Sequence, residues 1–189
     1  MLDQLVHYDK ELFLFLNNLG SAQWDGFWLF MTNKWSSIPL YALLAFLTYK
    51  AFGLKRLLMT LIAIAVLILV TDQLANFFKY GVQRLRPCHD LELNGLMRLV
   101  KSSCGGKFGY FSAHAANSFA VAIFFTVLLR PKYKYIGFFL MVWASVVAYS
   151  RIYIGVHFPL DVLTGIIIGT FLGGLFLQLY LKAIAKYGR

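Results

Sequence analysis

The chain has 189 residues, of which 60% are hydrophobic and only 14% are charged, and its mean hydropathy is +0.67. A soluble domain is usually near half apolar with about a quarter of its residues charged, so this composition points to a protein of the bilayer. The formal net charge is +10, but nucleic-acid binding needs a water-facing basic surface that so apolar a chain does not offer. We expect a single integral membrane domain over 1–189, with an anionic substrate and no nucleic-acid partner.

The N-terminal part of the chain is predicted to lie in the membrane interface. Leucine and valine recur in residues 2–19 at mixed three- and four-residue spacing, with charges between them, which is typical of an interfacial helix. Three tryptophans follow within 20–35, and tryptophan favours the headgroup zone. We therefore treat 1–34 as one interfacial region, with a tilted sixth span across 20–35 as the alternative.

Five apolar segments follow as candidate spans, because a spanning helix needs roughly 20 mostly apolar residues. They are 36–53, 56–79, 112–130, 135–151 and 159–181. Ser112 is a good N-cap for the third segment, and Pro159 suits the first position of the fifth. The predicted fold class is all-α: a polytopic membrane helix bundle of about five transmembrane helices, or six, plus the N-terminal interfacial helix.

Lysine and arginine residues predict the orientation. They occur in the connections 50–56 and 130–134 and in the tail that ends at Arg189, and five spans place these three regions on the same side. The positive-inside rule makes that side cytoplasmic, so the long loop 80–111 is predicted to face outward.

Three basic residues are predicted to meet at one depth on the outward side: Lys79, Arg86 and Arg151. If the second span continues past Lys79, Arg86 shares its helical face and Pro87 ends the helix. Each basic side chain alone is explained by snorkelling at the interface. Three together favour an anion site, because arginine forks match phosphate oxygens and a helix start at Ser112 adds N–H donors.

The stretch SRIYIGVHFPLD, residues 150–161, places a histidine and an aspartate four positions apart. An aspartate beside a histidine fixes its tautomer and stabilises the imidazolium, so Asp161 would prepare His157 to act as a nucleophile. His114 would then protonate the departing oxygen. No metal is expected at His157, because no acidic cluster accompanies it and the arginines would repel a cation.

These residues carry three motifs that resemble the signature of the type 2 phosphatidic acid phosphatase family, which shares its active site with vanadium haloperoxidases. KYGVQRLRP at 79–87 and the stretch at 150–161 match the first and third parts in full. FSAH at 111–114 keeps the serine and histidine of the second part, but Phe111 and Ala113 replace its proline and glycine. Alanine has a narrower backbone range than glycine, so this loop is where we expect the geometry to depart from the family.

The resemblance implies a membrane-embedded phosphatase that forms a phosphohistidine and needs neither a metal nor another cofactor. His157 would attack phosphorus, Asp161 would support it, and His114 would act as the acid and then activate water. The phosphate would be bound by Lys79, Arg86, Ser112 and Arg151.

Short bacterial members of that family act on lipid phosphates, so the resemblance implies a bacterial inner-membrane enzyme with its site facing the periplasm. The candidate substrates are undecaprenyl diphosphate, phosphatidylglycerol phosphate, phosphatidic acid and lipid A phosphates, and the sequence does not choose among them or fix an oligomeric state. A short interfacial helix is predicted at 91–101, with headgroup contacts from Arg98, Lys101 and Lys107. A small lipid-phosphate transporter and a non-catalytic binding relative are the alternatives.

Two further patterns bear on packing. Gly165, Gly169 and Gly173 are spaced by four on the fifth span, which predicts close helix packing within the chain. Asp72 lies inside the second span, where an acid is usually paired, and we expect it to join a polar network with Asn117.

The outward loop also holds the two cysteines of the chain, Cys88 and Cys104. No metal-binding spacing surrounds them, so a structural zinc site is not expected. The sequence leaves a disulfide and two free thiols equally open.

Overall fold

The computed structural model describes residues 2–187; Met1, Gly188 and the basic Arg189 of the tail lie outside the described residues. No strand forms within 2–187, and the predicted all-α membrane bundle is confirmed. The helices are α1 (Leu2–Asn18), α2 (Ala22–Thr32), α3 (Ile38–Val82), α4 (Ala113–Leu129), α5 (Ile136–Tyr153) and α6 (Pro159–Tyr187). Short 3₁₀ turns lie at Lys34–Ser37, Pro87–His89 and Leu91–Leu93.

Helix α3 contains the first two predicted spans, and the chain reverses direction between them at Gly53. This residue has φ 81° and ψ 175°, a conformation that glycine adopts and side-chain-bearing residues avoid. Tyr41 and Lys79 line the same cavity, whereas a continuous helix would hold them about 57 Å apart. The two segments of α3 therefore run antiparallel, as two separate spans require.

Among the described residues, three helical stretches are long and apolar enough to cross a membrane: Lys34–Val82, Ile136–Tyr153 and Pro159–Tyr187. The first holds two predicted spans and α4 is an apolar helix of 17 residues, so all five predicted segments are helical. The number that crosses the bilayer stays a prediction. Helix α2 has 11 residues and a length of about 16 Å, which is too short to cross alone.

Helix α4 lies at the centre of the bundle, because most of its side chains are buried between α5 and α6. Its closest contact, with α6, follows the three glycines predicted to pack within the chain. A Cβ on these glycines would meet, in order, the backbone carbonyls of Ser112, Ala116 and Ala120. The small-residue face of α6 is thus filled by α4 itself, which lets the two backbones touch.

The contact at Gly169 leads to a stability prediction. We expect Gly169→Ala to destabilise the protein by about 1–3 kcal/mol, because the added methyl group strikes the Ala116 carbonyl and a helix backbone cannot yield locally. Gly174→Ala is the matched control, since nothing lies within 4 Å of its Cβ position. Thermal unfolding in detergent should show a lower Tm for Gly169→Ala alone, and equal Tm values would contradict this packing.

The N-terminal helices pack against the bundle. Helix α1 buries Asp9, Phe13 and Asn17, and the Asn17 amide donates to the carbonyls of Ile152 at 3.1 Å and Tyr153 at 2.9 Å. The predicted helix at 2–19 is confirmed, and its buried face caps the end of α5. Within the described residues, the segment 2–34 therefore belongs to the folded bundle, since its polar side chains satisfy backbone groups of another helix.

Candidate functional site

A cavity of about 400 Å³ opens where the helix ends converge. Its wall includes Lys79, Arg86, His114, Arg151 and His157. They come from the end of α3, the following loop, the start of α4, the end of α5 and the loop before α6. The structure thus brings together both predicted histidines and all three predicted basic residues, from five separate parts of the chain.

His157 and Asp161 form the buried side of this site, with 2% and 0% of their surfaces exposed. Nδ1 of His157 lies 3.5 Å from Oδ2 of Asp161, within ion-pair distance, although Nδ1 makes no hydrogen bond. The same Oδ2 accepts the Phe158 N–H at 3.0 Å, which holds the carboxylate toward the imidazole. Because Nδ1 faces the carboxylate, Nε2 is the nitrogen left for a substrate.

The surroundings of His157 keep its imidazole neutral. Burial first, then the positive charges of Arg151, Arg86 and Lys79, hold the pKa of His157 well below its ordinary value of 6.5. Near neutral pH the ring is therefore unprotonated, and its Nε2 lone pair can attack an electrophile.

Arg86 reaches the cavity by a different route from the predicted one. Helix α3 ends at Val82, and Gln83 takes a left-handed conformation with φ 55°, donating its N–H to the Lys79 carbonyl at 3.0 Å. The helix continues past Lys79 but does not reach Arg86, because Gly81 weakens the last turn and the Gln83 cap closes it. Arg86 instead lies in extended backbone, with φ −74° and ψ 156°.

The loop 80–111 holds the Arg86 guanidinium in place. Nε donates to the Phe108 carbonyl at 3.2 Å, and Nη1 donates to the Cys104 carbonyl at 3.1 Å. Cys104 is joined to Cys88 in a disulfide, which answers the question that the sequence left open. The disulfide therefore fixes the loop segment whose carbonyl accepts from Arg86, and so it helps to position the Arg86 guanidinium.

Arg151 is 5% exposed, and it forms part of the cavity wall. Nη1 donates to the Thr32 hydroxyl at the end of α2, whereas the buried Nε has no partner. A buried guanidinium with an unpaired N–H is costly, and an oxyanion in the cavity would satisfy it.

The second motif, residues 111–114, lies at the start of α4, where its serine and its histidine make different contacts. Ser112 caps α4, because its hydroxyl accepts the Ala115 N–H at 3.4 Å. The Ser112 side chain is fully buried and is not part of the cavity wall, so its contact with a phosphate stays a prediction. Its hydroxyl serves its own helix, while His114 in the next turn does line the cavity.

None of the residues predicted to contact a headgroup lines the cavity: Arg98, Lys101 and Lys107. Arg98 donates to the Asp25 carboxylate at 2.9 and 3.0 Å and lies 5.6 Å from the centre of the Tyr153 ring. The predicted helix at 91–101 shortens to the turn Leu91–Leu93. Arg98 therefore connects the loop 80–111 to helix α2 through its ion pair with Asp25.

Beyond its cationic end, the cavity has a mixed wall. Asn117 donates to Asp72 at 2.8 Å, which confirms the predicted polar pair, and both residues also line the cavity. The wall also includes Lys34, Tyr41 and Trp143. This part can accommodate the group that carries a phosphate bound at the cationic end.

Sequence reasoning missed Arg84 and Asp9 as site residues. Arg84 lies between Asp161, at 2.8 Å, and Asp9, at 2.5 Å. Burial raises the pKa of Asp9, and the Arg84 hydrogen bond and the Leu160 N–H oppose that rise. Arg84 stands inside the first motif at a position that the motif does not specify, and Asp9 gave no signal because its partners lie far along the chain.

Within residues 2–187, one group of side chains has the spacing of metal ligands: Cys88, His89 and Cys104. Both cysteines belong to the disulfide, so neither offers the thiolate that would bind a metal. The arrangement in the cavity is different, since it combines two histidines with three fixed cations and suits a tetrahedral oxyanion.

Comparisons with known proteins agree with this geometry. The model of the PAP2 superfamily matches residues 53–185. The chain is 38% identical over 188 residues to the lipid A 4′-phosphatase of Bacteroides thetaiotaomicron, covering 98% of this chain and 83% of the relative. Identity to the protein of that name from Porphyromonas gingivalis is 33% over 190 residues, covering 98% and 78%. Identity to the undecaprenyl-diphosphatase of Sulfolobus acidocaldarius is 29% over 184 residues, covering 94% and 81%.

Two solved structures are similar to this one. The crystal structure of Aquifex aeolicus LpxE has a TM-score of 0.65 and 29% identity, covering 89% of this chain and 93% of that one. The PAP2-type phosphatidylglycerolphosphate phosphatase of Bacillus subtilis has a TM-score of 0.74 and 20% identity, covering 95% and 87%. The second similarity concerns the fold alone, and both place the helices of this chain in the same arrangement.

Proposed function

The chain belongs to the PAP2 superfamily and is an integral membrane lipid phosphatase, and from this premise we propose that it removes the 4′-phosphate of lipid A. The observation that carries the proposal is the similarity to two lipid A 4′-phosphatases over 98% of the chain. The superfamily match begins at residue 53, whereas this similarity includes α1 and α2. These N-terminal segments supply Thr32 and Lys34 to the cavity wall, so the similarity extends to the substrate-facing surface.

In the proposed first step, Nε2 of His157 attacks phosphorus in line with the bond to the sugar oxygen. The P–N bond forms as the P–O bond breaks, and the electron pair leaves with the sugar oxygen, which takes a proton from His114. The imidazolium of the phosphohistidine carries its Nδ1 proton toward Asp161, whose carboxylate stabilises the new charge.

In the second step, water attacks the phosphohistidine and gives a proton to His114. The P–N bond breaks, inorganic phosphate leaves and the neutral imidazole of His157 is restored. Through both steps the nonbridging oxygens would be held by Lys79, Arg86 and Arg151. Three fixed cations supply the charge that a metal ion provides in other phosphatases, and vanadate, which resembles the phosphorane, should inhibit.

We place the site on the periplasmic face of a bacterial inner membrane. The Cys88–Cys104 disulfide lies on the cavity side, and disulfides persist in oxidising compartments. The helix ends on the other side of the bundle carry basic residues. The Tyr180 hydroxyl donates to the Arg56 carbonyl at 3.3 Å, so the basic connection 50–56 lies beside the end of α6. The positive-inside rule makes that end cytoplasmic.

A panel of purified lipid phosphates in detergent tests the substrate: lipid A with its 4′-phosphate, undecaprenyl diphosphate, phosphatidylglycerol phosphate and phosphatidic acid. We expect the fastest phosphate release from lipid A, with mass spectrometry locating the loss at the 4′ position. Activity should survive EDTA, because the cations that hold the phosphate are side chains.

The panel also distinguishes the alternatives. Release from undecaprenyl diphosphate alone would replace the substrate and keep the enzyme class, in line with the relative of 29% identity. Release from none of the four would contradict the proposal and favour the transporter or the non-catalytic relative. Activity that EDTA removes and magnesium restores would contradict the metal-free site.

A further inference from the structure

We propose that Arg84 and Asp9 are positioning residues that hold Asp161 for the reaction, so that the first helix is part of the catalytic apparatus. This inference rests on the proposed phosphohistidine mechanism. Asp9 lies outside the stretch 53–185 that the superfamily shares, so the motifs of the family do not specify it.

The Arg84 guanidinium bridges two buried carboxylates. Nη1 donates to Oδ1 of Asp161 at 2.8 Å, and Nη2 donates to Oδ2 of Asp9 at 2.5 Å. The other Asp9 oxygen accepts the Leu160 N–H at 2.9 Å, beside Asp161 in the chain. Asp9 and Asp161 are 4% and 0% exposed, so water does not screen these contacts.

Both oxygens of the Asp161 carboxylate are therefore fixed by named donors. Arg84 holds Oδ1, and the Phe158 N–H holds Oδ2, the oxygen that lies nearest Nδ1 of His157. The orientation of the Asp161 carboxylate plane is thus set by Arg84 at one oxygen and by the Phe158 N–H at the other. Without Arg84, the orientation toward His157 would depend on one hydrogen bond.

Arg84 also packs against the residue next to the nucleophile. Its guanidinium lies 4.3 Å from the centre of the Phe158 ring, which meets Phe13 of α1 at 5.4 Å between ring centres. Helix α1 therefore contacts the His157 loop twice, through Asp9 and Arg84 and through Phe13 and Phe158. A shift of α1 would move the loop that carries the nucleophile.

The negative charges of Asp9 and Asp161 explain why a cation lies between them. Two carboxylates that face one cation are stable together, whereas two buried carboxylates alone repel each other. Removing Arg84 would drive the pair to take up a proton, and a protonated Asp161 cannot stabilise the imidazolium of His157. Arg84 thus keeps the charge that the reaction needs as well as the geometry.

A double-mutant cycle separates this role from a structural one. We expect Arg84→Gln to lower kcat about 10- to 100-fold, as loss of an orienting partner does at other sites, with a much smaller change in KM. Asp161→Asn should lower kcat about 10⁴-fold. The double variant should be no slower than Asp161→Asn alone, because Arg84 acts through Asp161.

The controls use the same part of the molecule. Glu11→Gln, on α1 and exposed in its pair with His7, should keep wild-type activity. Arg84→Lys, which keeps a charge, should recover part of kcat, and Asp9→Asn should lower it less than Arg84→Gln. If Arg84→Gln does not fold, Arg84→Lys and Asp9→Asn take its place in the cycle with Asp161→Asn.

The outcomes are distinct. Losses that multiply in the double variant would show a structural contribution independent of Asp161 and would overturn this inference. Wild-type kcat in folded Arg84→Gln would overturn it too. Failure of the proposed function has a different signature, since full activity in His157→Ala would remove the mechanism whatever the cycle shows.

Discussion

His157→Ala is expected to abolish phosphate release while the protein still purifies folded. The side chain supplies the only nucleophile in the proposed first step, and loss of a nucleophile in a covalent enzyme lowers kcat by a factor on the order of 10⁶. The fold should tolerate the change, because the removed ring lies in the cavity wall and is surrounded by cations.

Turnover of lipid A by the purified variant, together with trapping of labelled phosphate on the wild-type protein, measures this effect. The matched control is His7→Ala, an exposed histidine that pairs with Glu11 on α1, and it should behave as wild type. A folded His157→Ala protein that keeps a substantial share of wild-type turnover would rule out the phosphohistidine.

The residues that the sequence predicted best are those whose neighbours lie close along the chain. Asp161 lies one helical turn after His157, and the intervening Phe158 backbone reaches back to the carboxylate, so a short motif contains the whole contact. Ser112 at the cap of α4 is a local prediction of the same kind. The reversal at Gly53 lies within the predicted connection 50–56, although the sequence pattern did not single out this residue.

The contacts that the motifs left open depend on where a helix ends and which way a side chain turns. One left-handed residue, Gln83, stops α3 before Arg86, and no spacing rule in the motif registers that change. The Ser112 hydroxyl accepts the Ala115 N–H as the predicted cap, and its contact with phosphate, in which the O–H would donate, stays a prediction. The spacing of the motifs identified Arg86 and Ser112 as candidate site residues, but it did not determine which groups their side chains contact.

The sequence did not predict the contacts of the N-terminal region with the site, and the reason is the distance along the chain. Asp9 contacts residues more than 70 positions away, and Thr32 meets Arg151 from the end of a separate short helix. In the sequence, the charges of α1 look like those of any interfacial helix, because burial depends on which face meets the bundle. Only tertiary packing identifies Asp9 as a site residue.

His114→Ala is expected to slow lipid A turnover by about 10² to 10⁴, the usual contribution of a general acid. The loss in the first step should shrink with an aryl phosphate such as p-nitrophenyl phosphate, because nitrophenolate departs without a proton. The second step should remain impaired, since His114 also activates water. The variant should therefore accumulate phosphohistidine and release a burst of nitrophenol close to the enzyme concentration.

Rapid-mixing kinetics with the aryl phosphate and trapping of labelled enzyme measure the two steps separately. Ser118→Ala is the matched control, because Ser118 lines the same cavity one turn further along α4 and donates to its own helix at Ala115, 3.1 Å away. It should turn over both substrates at close to the wild-type rate. Equal losses on both substrates without a burst would assign His114 to phosphate binding, since a binding residue affects every substrate alike and leaves no trapped intermediate.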